Sequence, residues 1–218
     1  MHNILEILKI LLHLDTYLIT FTNNYGGLVY SLLFIVIFCE TGLVISPFLP
    51  GDSLLFAAGA IAASSGSLNI EFLFMTIATA AILGDSLNYS IGKVTGTKIF
   101  LNTESRVFKK EYLTKTENFY EHHGNKAILL GRFFPIIRTF VPFVAGIGKM
   151  NYGKFLFYNI LGGIIWTIIF LLGGYTFGNI QFVKNNFTIV IFSIIFLSFL
   201  PGIYHLIRSW YKQKNQIL

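Results

Sequence analysis

The stretch from Ser46 to Gly59, SPFLPGDSLLFAAG, places two prolines, a glycine and an aspartate inside a strongly apolar part of the chain. Proline interrupts a helix interior, and an ionised carboxylate is costly to place in lipid. Irregular backbone at membrane depth is tolerated only where protein or a water-filled cavity satisfies it. The stretch therefore predicts a broken, re-entrant segment over residues 46–64, with Asp52 at the break.

The composition is that of an integral membrane protein, which we interpret as a single membrane domain, residues 1–218. Hydrophobic residues make up 54% of the chain and charged residues only 12%, whereas a soluble domain is about a quarter charged. The net charge of +6 comes from basic residues that flank apolar runs. This pattern favours the positive-inside rule of membrane proteins over nucleic-acid binding.

The apolar runs predict an all-α integral membrane protein with about four transmembrane helices and two oppositely oriented re-entrant helical hairpins. Because about 20 apolar residues cross a bilayer, we predict spans at 27–45, 68–92, 155–178 and 186–207. The polar cluster GDSLNYS at 84–90 is expected to break the second span. The predicted parts are an amphipathic N-terminal helix at 1–26, a first repeat at 27–92 with re-entrant loop 46–64, a basic cytoplasmic and interfacial loop at 93–126, a second repeat at 127–207 with re-entrant loop 127–148, and a basic C-terminal tail at 208–218.

The distribution of basic residues predicts the topology. The loop 93–126 and the tail 208–218 are both basic and are expected on the cytoplasmic side. The loop and the tail lie on the same side if 127–148 dips into the membrane and returns to the side that it left. The same reasoning predicts that 46–64 is re-entrant from the opposite face. The two hairpins also carry similar motifs, FAAG at 56–59 and FVAG at 143–146. An inverted repeat produces opposed broken helices of this kind.

Four ionisable residues lie in or beside apolar segments: Glu40, Asp52, Arg132 and Arg138. Asp85 is a fifth, weaker case. Charges at membrane depth pair with one another or line a water-filled cavity, because each costs about 2.5 to 3.5 kcal/mol at a helix centre. If the hairpin tips meet, each of the two acids gains a guanidinium partner.

Simpler roles stay open for most of these residues. Asp52 would also cap a short helix. Arg132 and Arg138 would also serve as interfacial anchors whose stems snorkel, and Arg132 fits that role better. We interpret Asp85 as a helix-packing contact. Glu40 lies well inside a span and has no capping position to occupy.

An enzyme is not expected. The string Gly-Asp-Ser-Leu occurs at 51–54 and 84–87 and resembles the nucleophile block of certain serine esterases. The Asp-x-x-His that would activate such a serine does not follow it, and a serine without a general base is a poor nucleophile. Zinc and phosphate-loop motifs are also missing from the sequence. We therefore predict no catalytic residue, no metal site and no cofactor.

Several separated motifs together resemble one known family over residues 27–180. They are Glu40 leading into SPFLPGDSLLFAAGA at 46–60, GDSLNYSIGKVTG at 84–96, and HGNKAILLGRFFPIIRTFVPFVAGIGKM at 123–150. The combination resembles the DedA membrane proteins, also called the VTT or SNARE-associated family. The resemblance implies transmembrane helices around two opposed re-entrant loops.

For bacterial members, the resemblance implies proton-dependent return of the polyprenyl (undecaprenyl) phosphate carrier across the cytoplasmic (inner) membrane for envelope synthesis. Eukaryotic relatives resemble phospholipid scramblases. The family's essential acids match Glu40 and Asp52, and its essential arginines match Arg132 and Arg138. The residues expected to support them are Asp85, Pro47, Pro50, Gly51, Pro135 and Pro142.

The hypothesis is that Arg132 and Arg138 bind the lipid phosphate while Glu40 and Asp52 couple its movement to protons. Arginine suits this task because its planar fork binds phosphate bidentately and stays charged. The expected partners are a lipid phosphate, protons and membrane lipids, without nucleic acid, and a homo-oligomer stays open. Alternatives are a passive phospholipid scramblase, a small-solute or drug/proton exchanger, and a chaperone-like structural membrane protein.

Overall fold

The computed structural model describes residues 20, 22, 24–43, 51–66, 68–95, 124–186, 189–190, 192–194 and 196. Several sequence predictions lie wholly or largely outside this part of the chain. They are the amphipathic helix 1–26, the basic loop 93–126, the tail 208–218, most of the span 186–207, and the positions of Pro47 and Pro50.

The part of the chain that the structure describes is helical, which confirms the all-α prediction. Helix α1 is Leu28–Gly42, α2 is Gly51–Ser65, α3 is Ile70–Thr95, α4 is Ala127–Gly131 after a 3-10 turn at Gly124–Lys126, α5 is Pro135–Ile147, α6 is Tyr152–Thr167, α7 is Gly173–Phe177 and α8 is Gln181–Asn185. A π-helical turn, Ile168–Leu172, joins α6 to α7, so that Tyr152–Phe177 forms one long helix.

Two helices in the described residues are long and apolar enough to cross a membrane. Ile70–Thr95 and Tyr152–Phe177 each have 26 residues, with mean hydropathies of 1.6 and 2.2. They coincide with the predicted spans 68–92 and 155–178. Three further apolar helices are shorter, with 15 residues in α1, 15 in α2 and 13 in α5. At 1.5 Å per residue they reach only about 20 to 23 Å, less than the roughly 30 Å hydrocarbon core.

Helix α3 runs unbroken through the polar cluster 84–90, so the predicted break in this span is wrong. The reason is that the polar side chains find partners without disturbing the backbone. Ser86 Oγ donates to the carbonyl of Ile82 at 2.8 Å, and Ser90 Oγ donates to the carbonyl of Ser86 at 2.7 Å. Serine bonded back to the preceding turn is compatible with a continuous helix.

The segment 127–148 does break, at residues 132–134 between α4 and α5. Pro135 is the first residue of α5, where the missing proline N–H removes no intrahelical bond. Pro142 lies inside α5 and is buried, and the helix continues through it. Because Pro142 has no N–H, the Arg138 carbonyl lacks its usual intrahelical donor. Arg132 thus lies at the helix break and Arg138 at a weakened turn.

Helix α3 is the central element and packs against α1, α5 and α6. Its contact with α1 is close because two glycines meet there. A Cβ added at Gly42 would lie 3.3 Å from Gly84 Cα, and one added at Gly84 would lie 3.0 Å from the Phe38 carbonyl oxygen. Small residues of this kind let membrane helices approach backbone to backbone.

The short helix α2 packs on the second long helix, along the π-helical turn and α7. Where α2 crosses the long helix, the two backbones are again in close contact. A Cβ added at Gly59 would overlap the Leu171 carbonyl oxygen, and one added at Gly174 would overlap the Phe56 carbonyl oxygen.

The short helix α5 packs in the same way on the first long helix, α3. A Cβ added at Gly146 would overlap the Tyr89 carbonyl oxygen, and one added at Gly92 would overlap the Phe143 carbonyl oxygen. The FAAG and FVAG motifs therefore make equivalent contacts, each with the long helix of the other half of the described chain.

Candidate functional site

Arg138 lies between two carboxylates that come from different helices. Its Nη2 is 3.3 Å from Glu40 Oε1, and its Nη1 is 3.2 Å from Asp52 Oδ1. Glu40 is in the last turn of α1, Asp52 in the first turn of α2, and Arg138 in the first turn of α5. Arg138 is 8% exposed and Glu40 is 2% exposed. Three helix ends thus converge on one buried guanidinium.

Trp166 completes this cluster from the long helix 152–177. Its indole N–H donates to Asp52 Oδ1 at 2.8 Å. The ring also faces the guanidinium, with Arg138 Cζ 4.7 Å from the ring centroid, within the range of a cation–π interaction. Trp166 therefore contacts both members of the Arg138–Asp52 pair.

Gly51, the first residue of α2, lies against the Glu40 carboxylate. The Gly51 N–H donates to Glu40 Oε1 at 3.3 Å, and a Cβ at this position would overlap the Glu40 carboxylate. Only glycine leaves room for the carboxylate against the start of α2. Glu40 Oε2 has no hydrogen-bond partner among the described residues.

Arg132 forms a second cluster with Asp85 and Asn159. Arg132 Nη2 pairs with Asp85 Oδ2 and donates to Asn159 Oδ1 at 2.8 Å. The Asn159 amide in turn donates to the Ile82 carbonyl of α3 at 3.0 Å. Arg132 is 5% exposed, so its alternative role as a snorkelling interfacial anchor is wrong. Asp85 holds an ion pair in addition to packing helices, because its position on α3 faces the break before α5.

Asn88 links the backbones beside the first cluster. Its Nδ2 donates to the Thr41 carbonyl at 3.1 Å and to the Thr139 carbonyl at 2.7 Å. These are the residues that directly follow Glu40 and Arg138. Asn88 is fully buried, and it fixes the separation of α1 and α5 at the level of the Glu40–Arg138 pair.

The structure brings Glu40, Asp52 and Arg138 together but places Arg132 with Asp85 instead. Sequence reasoning missed Trp166 and Asn159. Both carried a signal, because tryptophan in a membrane helix usually lies at the interface, whereas Trp166 is near the middle of a span. A buried amide in the same span also needs a partner. Of the other predicted supporting residues, Pro135 begins α5 and Pro142 lies inside it.

The fold and these buried charges define a helical integral membrane protein with ion pairs between its helices. The VTT domain family matches residues 49–176. Protein DedA of Escherichia coli (strain K12) is 48% identical over 203 residues, which is 93% of both chains. An uncharacterized membrane protein of Mycobacterium tuberculosis (strain ATCC 25618 / H37Rv) is 41% identical over 192 residues, 88% of this chain and 84% of that protein.

Inner membrane protein YqjA of Escherichia coli (strain K12) is 32% identical over 152 residues, 70% of this chain and 69% of that protein. The chain belongs to the DedA family of VTT-domain membrane proteins. No solved structure matches the chain significantly. Among the described residues, no group of three or more histidine, cysteine, aspartate or glutamate side chains is placed to hold a metal ion.

Proposed function

We propose that this protein is a proton-dependent flippase that moves an anionic lipid carrier, polyprenyl (undecaprenyl) phosphate, across the bacterial cytoplasmic membrane. The observation that carries the proposal is the position of Arg138, buried and held between Glu40 and Asp52. A buried cation with two competing acids is suited to exchange one anionic partner for another. The lipid phosphate would be the exchanged partner.

Both arginines keep donors for a phosphate. Arg138 Nε and Arg132 Nη1 are buried and make no hydrogen bond to the described residues. Arg132 can therefore donate to a head group while it stays paired with Asp85. Arg138 would give up one carboxylate and offer the phosphate a bidentate fork.

The backbone at the cluster also favours an anion. Asp52 and Arg138 lie in the first turns of α2 and α5, and their side chains are 3.2 Å apart. The positive ends of two short helices therefore point toward one place. Helix N-termini are favourable positions for phosphate groups.

The charge balance supports proton dependence. The two clusters contain three carboxylates, from Glu40, Asp52 and Asp85, and two guanidiniums, from Arg132 and Arg138. With every group ionised, the formal charge is already −1, and a bound phosphate makes it more negative. Buried net charge is costly. Protonation of Glu40 or Asp52 would offset the added charge and release Arg138 to the substrate.

The proposed topology follows from the two short helices. Helices α2 and α5 would be the membrane-inserted arms of two opposed re-entrant hairpins, one in each repeat. Their equivalent crossings with the long helices support this arrangement. The termini and the basic loop 93–126 would then face the cytoplasm, as the distribution of basic residues favours.

Reconstituted transport tests the proposal. Proteoliposomes would receive a fluorescent polyprenyl phosphate or a matched phosphatidylcholine, with and without a pH gradient across the membrane. The expected result is faster movement of the polyprenyl phosphate that depends on the gradient and is lost in Arg138→Ala. Lys154→Ala is the matched control because it removes one exposed cation outside the clusters.

The alternatives give different results. Equal movement of both lipids without a gradient would indicate a passive scramblase. Movement of neither lipid would overturn lipid transport and leave the small-solute exchanger. Unchanged transport in Arg138→Ala would remove the cluster from the mechanism.

A further inference from the structure

We infer that Trp166 is a positioning residue that holds Asp52 in place while Arg138 is transferred to the lipid phosphate. The inference rests on the proposed function and adds a residue to the same site. Trp166 belongs to the long helix 152–177, whereas Asp52 and Arg138 belong to the two short helices. Glu40 comes from α1, so Trp166 adds a fourth helix to the cluster.

Asp52 Oδ1 is the atom that connects Arg138 to Trp166. Asp52 Oδ1 accepts from Arg138 Nη1 at 3.2 Å and from Trp166 Nε1 at 2.8 Å. When Arg138 turns to a phosphate, the first of these bonds is lost. The second persists, so that the carboxylate oxygen keeps this donor in a partly buried position, where 17% of the Asp52 side chain is exposed. A carboxylate oxygen that is largely removed from water is costly to leave without such a donor.

The indole ring also holds Arg138 in place through a cation–π contact. Its face lies 4.7 Å from the guanidinium carbon, an attraction that does not occupy the N–H donors. Arg138 can thus exchange hydrogen-bond acceptors without leaving the ring. A planar cation on an aromatic face keeps its edge free for a bidentate anion.

Trp166 is rigid enough for this role. It is fully buried and packs edge-on against Phe170 with ring centroids 6.2 Å apart. The ring is also one of the largest buried side chains in the described residues. Its N–H therefore has a fixed direction, toward Asp52.

The test distinguishes the contribution of the indole N–H from that of the aromatic ring. Trp166→Phe removes the donor and retains an aromatic face, and Asp52→Asn removes the charge that the donor holds. Binding of dihexadecyl phosphate in detergent micelles would be measured by calorimetry for the wild type, both single variants and the double variant. Tyr175→Phe is the matched control, since it removes one donor from the same long helix outside the cluster. Thermal unfolding of each variant reports the fold.

We expect Trp166→Phe to weaken binding at least about fivefold when Asp52 is present, because the bound state then lacks the Trp166 donor to Oδ1 as well as the Arg138 donor. In the Asp52→Asn background the same change should alter binding by less than about twofold. Such a difference between the two backgrounds is the signature of coupled residues. Tyr175→Phe should bind like the wild type.

The outcomes distinguish this inference from the function on which it rests. Wild-type binding that Trp166→Phe leaves unchanged would overturn the role of Trp166 alone. An equal loss in both backgrounds would do the same, since the tryptophan would then act through packing and not through Asp52. Absence of wild-type binding would overturn the proposed phosphate site and this inference with it.

Discussion

Asp52 and Arg138 join the first turns of two short helices, with Asp52 Oδ1 3.2 Å from Arg138 Nη1. Helices α2 and α5 have 15 and 13 residues, too few to cross the hydrocarbon core alone. Their N-terminal ends must be satisfied inside the protein, since lipid offers no hydrogen bonds. The ion pair therefore stabilises the contact between the two helix ends. A change in the charge of either residue would change the stability of that contact.

The first prediction concerns the charge balance at Arg138. Arg138→Met leaves Glu40 and Asp52 close together without their shared cation, and we expect it to lower the free energy of unfolding by about 3 to 5 kcal/mol. Glu40→Gln leaves Arg138 paired with Asp52, so its cost should be clearly smaller. Thermal and denaturant unfolding in detergent would compare them. A larger loss in Glu40→Gln than in Arg138→Met would contradict this account of the cluster.

The second prediction separates structure from transport at the other cluster. Arg132→Met alone leaves Asp85 buried without its guanidinium and should cost about 3 to 5 kcal/mol of stability. The double variant Arg132→Met/Asp85→Leu removes both charges and should recover most of that loss, as apolar replacements of buried ion pairs do. Lipid transport should stay low in the double variant, because Arg132 Nη1 is no longer present to bind phosphate.

Melting curves and proteoliposome flux on the same preparations would test this separation. Asn159→Leu is the control for the amide, which accepts from Arg132 and donates to Ile82. It should destabilise by about 1 to 3 kcal/mol and keep part of the transport. Full transport in the stable double variant would show that Arg132 serves only the fold.

The third prediction tests the close helix crossings. Gly174→Ala would force a Cβ onto the Phe56 carbonyl oxygen, whereas the neighbouring Gly173 has open space around it. Overpacking against backbone costs about 1 to 3 kcal/mol, so Gly174→Ala should melt at a lower temperature and Gly173→Ala should not. Gly146→Ala, at the equivalent crossing on α3, should behave like Gly174→Ala. Equal melting temperatures for the Gly173 and Gly174 variants would contradict the packing.

Local pattern predicted much of this fold and part of the site. Hydropathy identified the two long helices because a run of about 20 apolar residues is typical of a transmembrane helix. The cost of buried charge identified Glu40, Asp52, Arg132 and Arg138 as residues that need partners. Hydropathy and the cost of burial do not identify the partner of each charged residue, since pairing depends on which helices pack together. In the structure Arg138 pairs with both expected acids, Glu40 and Asp52. Arg132 pairs with Asp85.

The sequence prediction erred where tertiary contacts satisfied a local conflict. The cluster 84–90 contains enough polar groups to suggest a break. In the structure Asn88 donates to backbone carbonyls of α1 and α5, Asp85 pairs with Arg132 at the break before α5, and α3 continues. The mid-span position of Trp166 was a sequence signal, but it did not identify the partner of the indole N–H, because only the fold brings Asp52 to it.

The fourth prediction is a proton uptake on anion binding. Dihexadecyl phosphate is a diester and keeps a single negative charge across the neutral range, so any pH dependence of its binding belongs to the protein. The clusters already carry a formal charge of −1 from Glu40, Asp52 and Asp85 against Arg132 and Arg138. Binding a further anion should take up protons, and the affinity should therefore rise as the pH falls.

Glu40→Gln tests which acid takes up the proton. The variant removes one carboxylate, so the clusters become formally neutral and the slope of log affinity against pH should become shallower than in the wild type. Glu71→Gln is the control, because it removes one exposed carboxylate from the start of α3, and it should keep the wild-type slope. Calorimetric titrations in buffers of different ionisation enthalpy count the protons directly. A slope in Glu40→Gln equal to that of the wild type would exclude Glu40 as the proton acceptor and leave Asp52 as the next candidate, since it faces Arg138 from α2.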